Sequence, residues 1–189
     1  MRSMNKWDIR SKNKVFENRI FTINDKNCLH PVKGVEWDFS VIDTFNWINV
    51  IALTEDDRFV LVKQHRLGSN EISIETPGGV IEDGEDPVDC ALREFREETG
   101  HLGKSIHPLK SLWVNPAIMS NRISFYFIDG CEKNSCQDLD ETEDIEVITP
   151  DLNELLEMMR SGVINHSLVM TGLGLYFLSE HNRFGKVVI

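Results

Sequence analysis

The chain has 189 residues, 41% of them hydrophobic and 27% charged, the make-up of one globular domain with an appended segment. A net charge of −11 argues against sequence-independent binding to nucleic acid or an anionic membrane, so a polyanionic substrate has to be met by local cations or bound metal. No apolar run approaches a membrane span, no signal-like core stands at the N-terminus, and Cys28, Cys90, Cys131 and Cys136 lack metal-ligand spacing, so cytoplasmic residence is the simplest expectation. Residues 1–42 read as a layer of their own: 15–23 and 35–42 have strand character, with turn-rich 24–27 and 31–34 around and between them. Trp37 and Phe39 alternate with polar neighbours and could be core, interface or a platform for a nucleobase. Residues 47–53 and 59–62 are apolar runs joined by polar 54–58, the pattern of a buried hairpin. Lys63, Gln64, His65 and Arg66 follow at once and suggest the wall of a site. Arg66 is the type suited to bidentate phosphate contact, while His65 reads as structural. Residues 72–75 read as a strand leading into Thr76-Pro77-Gly78-Gly79, where paired glycines let backbone approach a ligand or metal.

Residues 86–100 predict a short helix with Asp86 as N-cap, Pro87 in the first position and Gly100 as the stop. Val88, Ala91, Leu92, Phe95 and Thr99 recur at helical spacing and should form its buried stripe, leaving Cys90 a plain thiol on the Asp89/Arg93 side. Glu94 and Glu98 lie one turn apart on a flank of that stripe, with Glu97 further round. Such a pair destabilises a helix by about 0.2–0.5 kcal/mol. Arg93 can pair with Glu97, but neither Glu94 nor Glu98 has a cation at i±3 or i±4. Two readings meet these facts: a solvated acidic face, or hard oxygen ligands for Mg²⁺ or Mn²⁺. Beyond the helix, 109–114 and 123–128 read as strands, and acidic 138–146 runs into a strand at 145–148. Residues 150–159 form an amphipathic helix with Leu152, Leu155, Leu156 and Met159 on one face, and a second helix covers about 167–180.

From Gly79 the chain reads Gly, five residues, Glu85, seven residues, then Arg93-Glu94-Phe95-Arg96-Glu97-Glu98-Thr99-Gly100. All eight specified positions of the Nudix box are met; only the last, normally aliphatic, departs, as His101. The chain therefore resembles the Nudix hydrolases. The fold implied is α/β (an α+β sandwich), a mixed β-sheet between helices, with an N-terminal antiparallel β segment at 1–42 and the hydrolase domain at 43–189. Pro116, sixteen residues after Gly100, is similar to a marker of the ADP-ribose pyrophosphatase and nucleoside-diphosphate-sugar branch, although Ala-Ile-Met follows it where that branch has glycine.

The resemblance implies hydrolysis of the pyrophosphate bond of a nucleoside diphosphate sugar, ADP-ribose, GDP-mannose or similar, with Mg²⁺ or substituting Mn²⁺ as cofactor. It also implies metal held by the Gly78 carbonyl, Glu94 and Glu98, with Glu97 and Glu98 in the catalytic set. Glu141 and Glu143 match a Glu-x-Glu that supplies a base, Arg66 matches a nucleotide contact, and Glu85 is expected to bond Arg93. Arg122 is left between phosphate and a neighbouring strand. In that branch the N-terminal sheet helps form a homodimer, often by exchange; a hairpin packed on its own domain is the alternative. A different nucleoside diphosphate derivative, or a non-catalytic sensing module, remains as the rival function.

Overall fold

The computed structural model describes residues 4–187. Met1–Ser3, where both the expected N-terminal segment and the expected lack of a signal-like core begin, lie outside the described residues, as do Val188 and Ile189. The chain divides into two compact units, Met1–Asn46 with Trp113–Arg122, and Trp47–Leu112 with Ile123–Ile189.

In the first unit, β1 (Asp8–Glu17), β2 (Phe21–Leu29) and β3 (Glu36–Thr44) form an antiparallel sheet in sequence order. The strand expected over 15–23 is broken, because the Asn18 side chain accepts from the amides of Ile20 and Phe21 (both 2.8 Å) and turns the chain. Residues 24–27, expected as a turn, instead lie inside β2. Their polar side chains are spent across the sheet: Asn24 donates to Asp43 (2.8 Å) and Asn27 to Asp38 (2.9 Å). Residues 113–122 join the free edge of β3, where the Ile42 amide donates to the Ile118 carbonyl (2.8 Å). Trp37 and Phe39 point from one face of β3 and are 64% and 41% exposed, so neither is core within its own unit.

The second unit holds β4 (Trp47–Thr54), β5 (Leu61–Arg66), β6 (Glu71–Glu75), α1 (Pro87–Thr99), β7 (His101–Leu102), most of β8 (Ser105–Trp113) and β9 (Arg122–Lys133), then β10 (Ile145–Ile148), α2 (Leu152–Arg160) and α3 (Ser167–Phe177). One sheet runs β10-β5-β6; the other runs β4-β9-β7, with β8 also on β9 and β4 parallel to β9. The expected β4–β5 hairpin survives only at its turn, where Leu53 bridges Phe59; past it, the strands enter different sheets. Along β4 the period of two splits the core. Ile48, Val50 and Ala52 pack with Cys90, Ala91 and Phe95 of α1. Asn49 and Ile51 point the other way, toward α3, where a Cβ on Gly172 would meet Phe125, Asn49 and Ile51 at 3.0–3.1 Å. The architecture is thus a mixed α/β fold with sheet between helices, as expected.

The buried stripe of α1 is rotated from its expected position. Cys90, expected on the polar side, is fully buried, while Leu92 is 40% exposed. Ala91, Phe95 and Thr99 remain inside, and the rotation carries Glu98 in with them. That shift determines the chemistry of the site.

Candidate active site

Helix α1 is framed as its sequence predicts. The Asp86 carboxylate accepts from the Val88 amide (2.8 Å), Pro87 opens the helix, and Gly100 stops it at φ 70° while donating to the Arg96 carbonyl. Against this helix lies the turn Thr76–Gly79, fixed to β4 by the bonds Val50 N to Pro77 O (2.8 Å) and Ile48 N to Gly79 O (2.9 Å). A Cβ on Gly79 would run into the Glu94 carboxylate, and one on Gly78 would come within 2.5 Å of the Ile48 carbonyl. Both glycines are therefore required by close approach. The Gly78 amide donates to Glu98 Oε2 at 3.0 Å.

Glu98 is 4% exposed. Burial pushes its pKa up to about 8, with the charges of Glu94 and Glu143 adding to the effect and the Gly78 amide and Arg66 opposing it. Glu94 is likewise raised, chiefly by burial and then, against the pull of Arg93, by Glu97 and Glu143. Glu94 is not without a cation, as helical spacing suggested. The adjacent Arg93 folds back so that Nη1 reaches both Glu94 (2.9 Å) and Glu97 (3.1 Å), while Nε and Nη2 hold Glu85 (2.8 and 3.1 Å). The expected Glu85–Arg93 pair is thus present. It holds the Glu85 carboxyl at about 2, aided by a backbone hydrogen bond from Glu82.

Arg66 at the end of β5 lies within electrostatic range of Glu98. Its Nε and Nη2 donate to the two oxygens of Glu75, both at 2.8 Å, while Nη1 makes no hydrogen bond among the described residues. Burial works against charge on Glu75, yet the Arg66 bonds outweigh it and leave that carboxyl lowered. The charges of Glu98 and Glu143 in turn favour the guanidinium. Glu143 lies in the exposed loop before β10 and comes within electrostatic reach of Glu94, Glu98 and Arg66. Glu141, on the same loop, meets none of them among the described residues. Arg122 stands in the other unit, its guanidinium carbon 4.8 Å from the centroid of the Trp113 ring. His65 bonds the Asn70 side chain in the β5–β6 turn (3.2 Å).

Two contributors were missed by sequence reasoning. Glu75 alternates with Ile72 and Ile74, so a period of two puts it with Ser73 on the polar side of β6, yet it is 4% exposed. Gln137, whose side-chain amide donates to the Glu98 and Ile145 carbonyls, lies in a polar stretch with no motif.

Among the described residues, no three His, Cys, Asp or Glu side chains converge at metal-ligand spacing. What α1 and the glycine turn offer is a pair of half- to fully buried carboxylates, Glu94 and Glu98, beside a Gly78 carbonyl that accepts no hydrogen bond among the described residues. Two carboxyls raised by burial, with a free carbonyl at hand, fit a hard divalent cation.

Residues 46–165 match the NUDIX domain. A methanol dehydrogenase activator of Bacillus methanolicus is 32% identical over 134 residues, 70% of this chain and 72% of that protein. An ADP-ribose pyrophosphatase of Bacillus subtilis is 29% identical over 115 residues, 60% of this chain and 62% of that protein. A GDP-mannose pyrophosphatase of Salmonella arizonae is 28% identical over 167 residues, 81% and 86% of the two chains. A crystal structure of an ADP compounds hydrolase superposes with a TM-score of 0.82 over 93% of this chain and 94% of the other at 20% identity, a likeness of fold.

Proposed function

We propose, for a chain that belongs to the NUDIX domain family of hydrolases, that its substrate is a nucleoside diphosphate sugar, cut at the pyrophosphate bond to a nucleoside monophosphate and a sugar phosphate. The observation that carries this reading is the pair Glu94 and Glu98, buried against the Gly78-Gly79 turn, with Arg66 in electrostatic range of Glu98. Family members generally use a divalent metal ion, and Mg²⁺, with Mn²⁺ as substitute, is the ion read here. Glu94, Glu98 and the Gly78 carbonyl would hold it, and when bound it would neutralise the diphosphate and make water more acidic.

The protein groups divide the remaining work. Arg66, kept in place by Glu75, offers Nη1 to a phosphate oxygen. Glu97, tied to Arg93, keeps the outer wall of the site negative. Glu143 is the better placed of the two loop carboxylates to orient water or take its proton, because it stands near Glu94 and Glu98 while Glu141 does not. The water oxygen bonds to one phosphorus as the bridging oxygen leaves with its electron pair on the other phosphate. Arg122, beside Trp113, is kept as a second phosphate contact.

Residues 1–42 are read as the dimerisation arm of a homodimer and 43–189 as the catalytic domain, in the cytoplasm. Relatives are named for ADP-ribose and for GDP-mannose, so the test is a panel of nucleoside diphosphate sugars spanning several bases, incubated with Mg²⁺ and repeated with Glu97→Gln and Glu98→Gln. Turnover of at least one member, lost in Glu98→Gln, is expected; undiminished turnover in both variants would refute the assigned site.

A further inference from the structure

We propose that Gln137 is a positioning residue: its side-chain amide fastens the loop carrying Glu143 to the carboxylate helix α1, and so sets where Glu143 stands against Glu94 and Glu98. The inference rests on the reading of Glu143 as the group that works on water.

The end of α1 leaves carbonyls with no partner inside the helix. The segment after β9 answers them. Asn134 N and Ser135 N both donate to the Gly100 carbonyl (2.9 and 3.0 Å), and Asp138 N donates to that of Glu97 (2.9 Å). The carbonyl of Glu98 is met by a side chain, Gln137 Nε2, at 2.6 Å. The same nitrogen gives a second bond, 3.0 Å, to the carbonyl of Ile145, which opens β10. A primary amide carries two N–H groups and no charge, so one Gln137 can close both bonds at once. One of these bonds holds the backbone of a proposed metal ligand, and the other holds the far end of the acidic loop.

Between those two points the loop is closed on itself. Glu143 N donates to the Asp140 carbonyl (2.9 Å), and Asp140 N donates back to Glu143 Oε2 (3.1 Å). A turn tied in this reciprocal way moves as one piece. Among the described residues, the hydrogen bonds of the stretch 137–144 to α1 are the Asp138–Glu97 bond and the Gln137 amide, so their geometry sets the position of the Glu143 carboxylate. That carboxylate is held by its bond to the Asp140 amide within the same turn, so it moves with the turn and with the two bonds that tie the turn to α1. The residue type is demanding. Glu would turn acceptors toward two carbonyls, Met has no donor, and Asn is one methylene short.

The test uses Gln137→Met in the full chain. With the best substrate of the panel, kcat is expected to fall between about ten- and a hundredfold, the effect of a displacement near an ångström, with KM within about twofold. The dissociation constant for Mn²⁺ should stay within about twofold, and amide exchange at residues 140–144 of the metal-free protein should accelerate. In a double-mutant cycle, Gln137→Met should add nothing to Glu143→Gln. Losses that multiply, or kcat and Mn²⁺ affinity falling together, would mean that Gln137 acts on the helix, and would overturn the proposal. Should Gln137→Met fail to fold, Gln137→Asn, which keeps both donors but withdraws them, is read by the same measurements. If the wild-type protein hydrolyses nothing in the panel, the substrate reading falls, and the exchange experiment still decides the latch: unaltered exchange at 140–144 would sink it.

Discussion

Glu98 is the residue at which burial and charge conflict most, and the conflict has a sign. Its carboxyl titrates at about 8 in the folded chain, against an ordinary value near 4.5. Between those values the folded protein holds a proton that the unfolded chain has released. Stability from this group is therefore fully present below pH 4.5 and is lost as pH rises toward 8, at about 1.4 kcal/mol per pH unit. Glu94, raised for the same leading reason, adds to the slope. Glu85, held at about 2, has the opposite sign, but its contribution disappears only as pH falls below its unfolded value, outside this window. The melting temperature of the chelator-treated protein is thus expected to drop between pH 5 and 8. Glu98→Gln should flatten the drop and melt higher than wild type at pH 8, while Mg²⁺ should stabilise wild type more at pH 8 than at pH 5. A wild-type melting profile independent of pH and of Mg²⁺ would contradict the buried, cation-seeking carboxyl. Arg66 yields a second expectation. Arg66→Lys keeps the charge but loses the fork to Glu75, which is 4% exposed and would retain at most one bond. A loss of about 1–3 kcal/mol in urea unfolding should accompany a several-fold rise in KM.

At the scale of elements, the site is a contact between one helix and one turn. The glycines of the turn matter for what they lack. Gly79→Ala would place a methyl group inside the volume of the Glu94 carboxylate, so either helix or turn must retreat. Mn²⁺ affinity and kcat should both drop by about tenfold or more, the consequence of displacing a ligand by a fraction of an ångström. A normal Mn²⁺ isotherm for this variant would remove Glu94 from the ligand set. The ends of this helix were legible because capping is local: Asp86, Pro87 and Gly100 each act within one turn. Its rotation was not, because apolar spacing counted Leu92 and could not weigh the sheet that takes in Cys90 and Glu98 instead. The break at Asn18 and the strand through Asn24 and Asn27 were missed for a related reason. Asparagine signals a turn when its side chain bonds its own backbone, as Asn18 does, and a strand when it bonds across to Asp43 or Asp38. The Glu75 partner of Arg66 sits nine residues away on the neighbouring strand, opposite Val62 while Arg66 is opposite Glu71, so the long guanidinium reaches it along one face of the sheet and neither spacing nor pairing announces it.

Across the whole molecule, apolar exposure and charge are unevenly distributed, and both bear on self-association. Among the described residues, eleven of the twenty exposed large hydrophobic side chains fall between Met4 and Phe45, including Ile9, Trp37 and Phe39. The register of β1–β2–β3 puts those three on one face, with Trp7 edge-on to Phe39 at 5.2 Å. A three-stranded sheet with such a face is poorly stable in water unless something covers it. Charge does not bar a second copy as the cover. Residues 1–46 carry eight Lys or Arg against six Asp or Glu, while the chain as a whole carries 20 against 31, so the acidic excess lies entirely in the rest. Two copies can therefore approach through this face without bringing their acidic surfaces together. Sedimentation at micromolar concentration is expected to give a single species of twice 21.7 kDa. Trp37→Glu with Phe39→Glu, both on exposed positions of β3, should shift it toward the single chain while the circular dichroism of the helices is kept. A wild-type protein that sediments only as one chain would leave the aromatic face to another occupant and remove the homodimer.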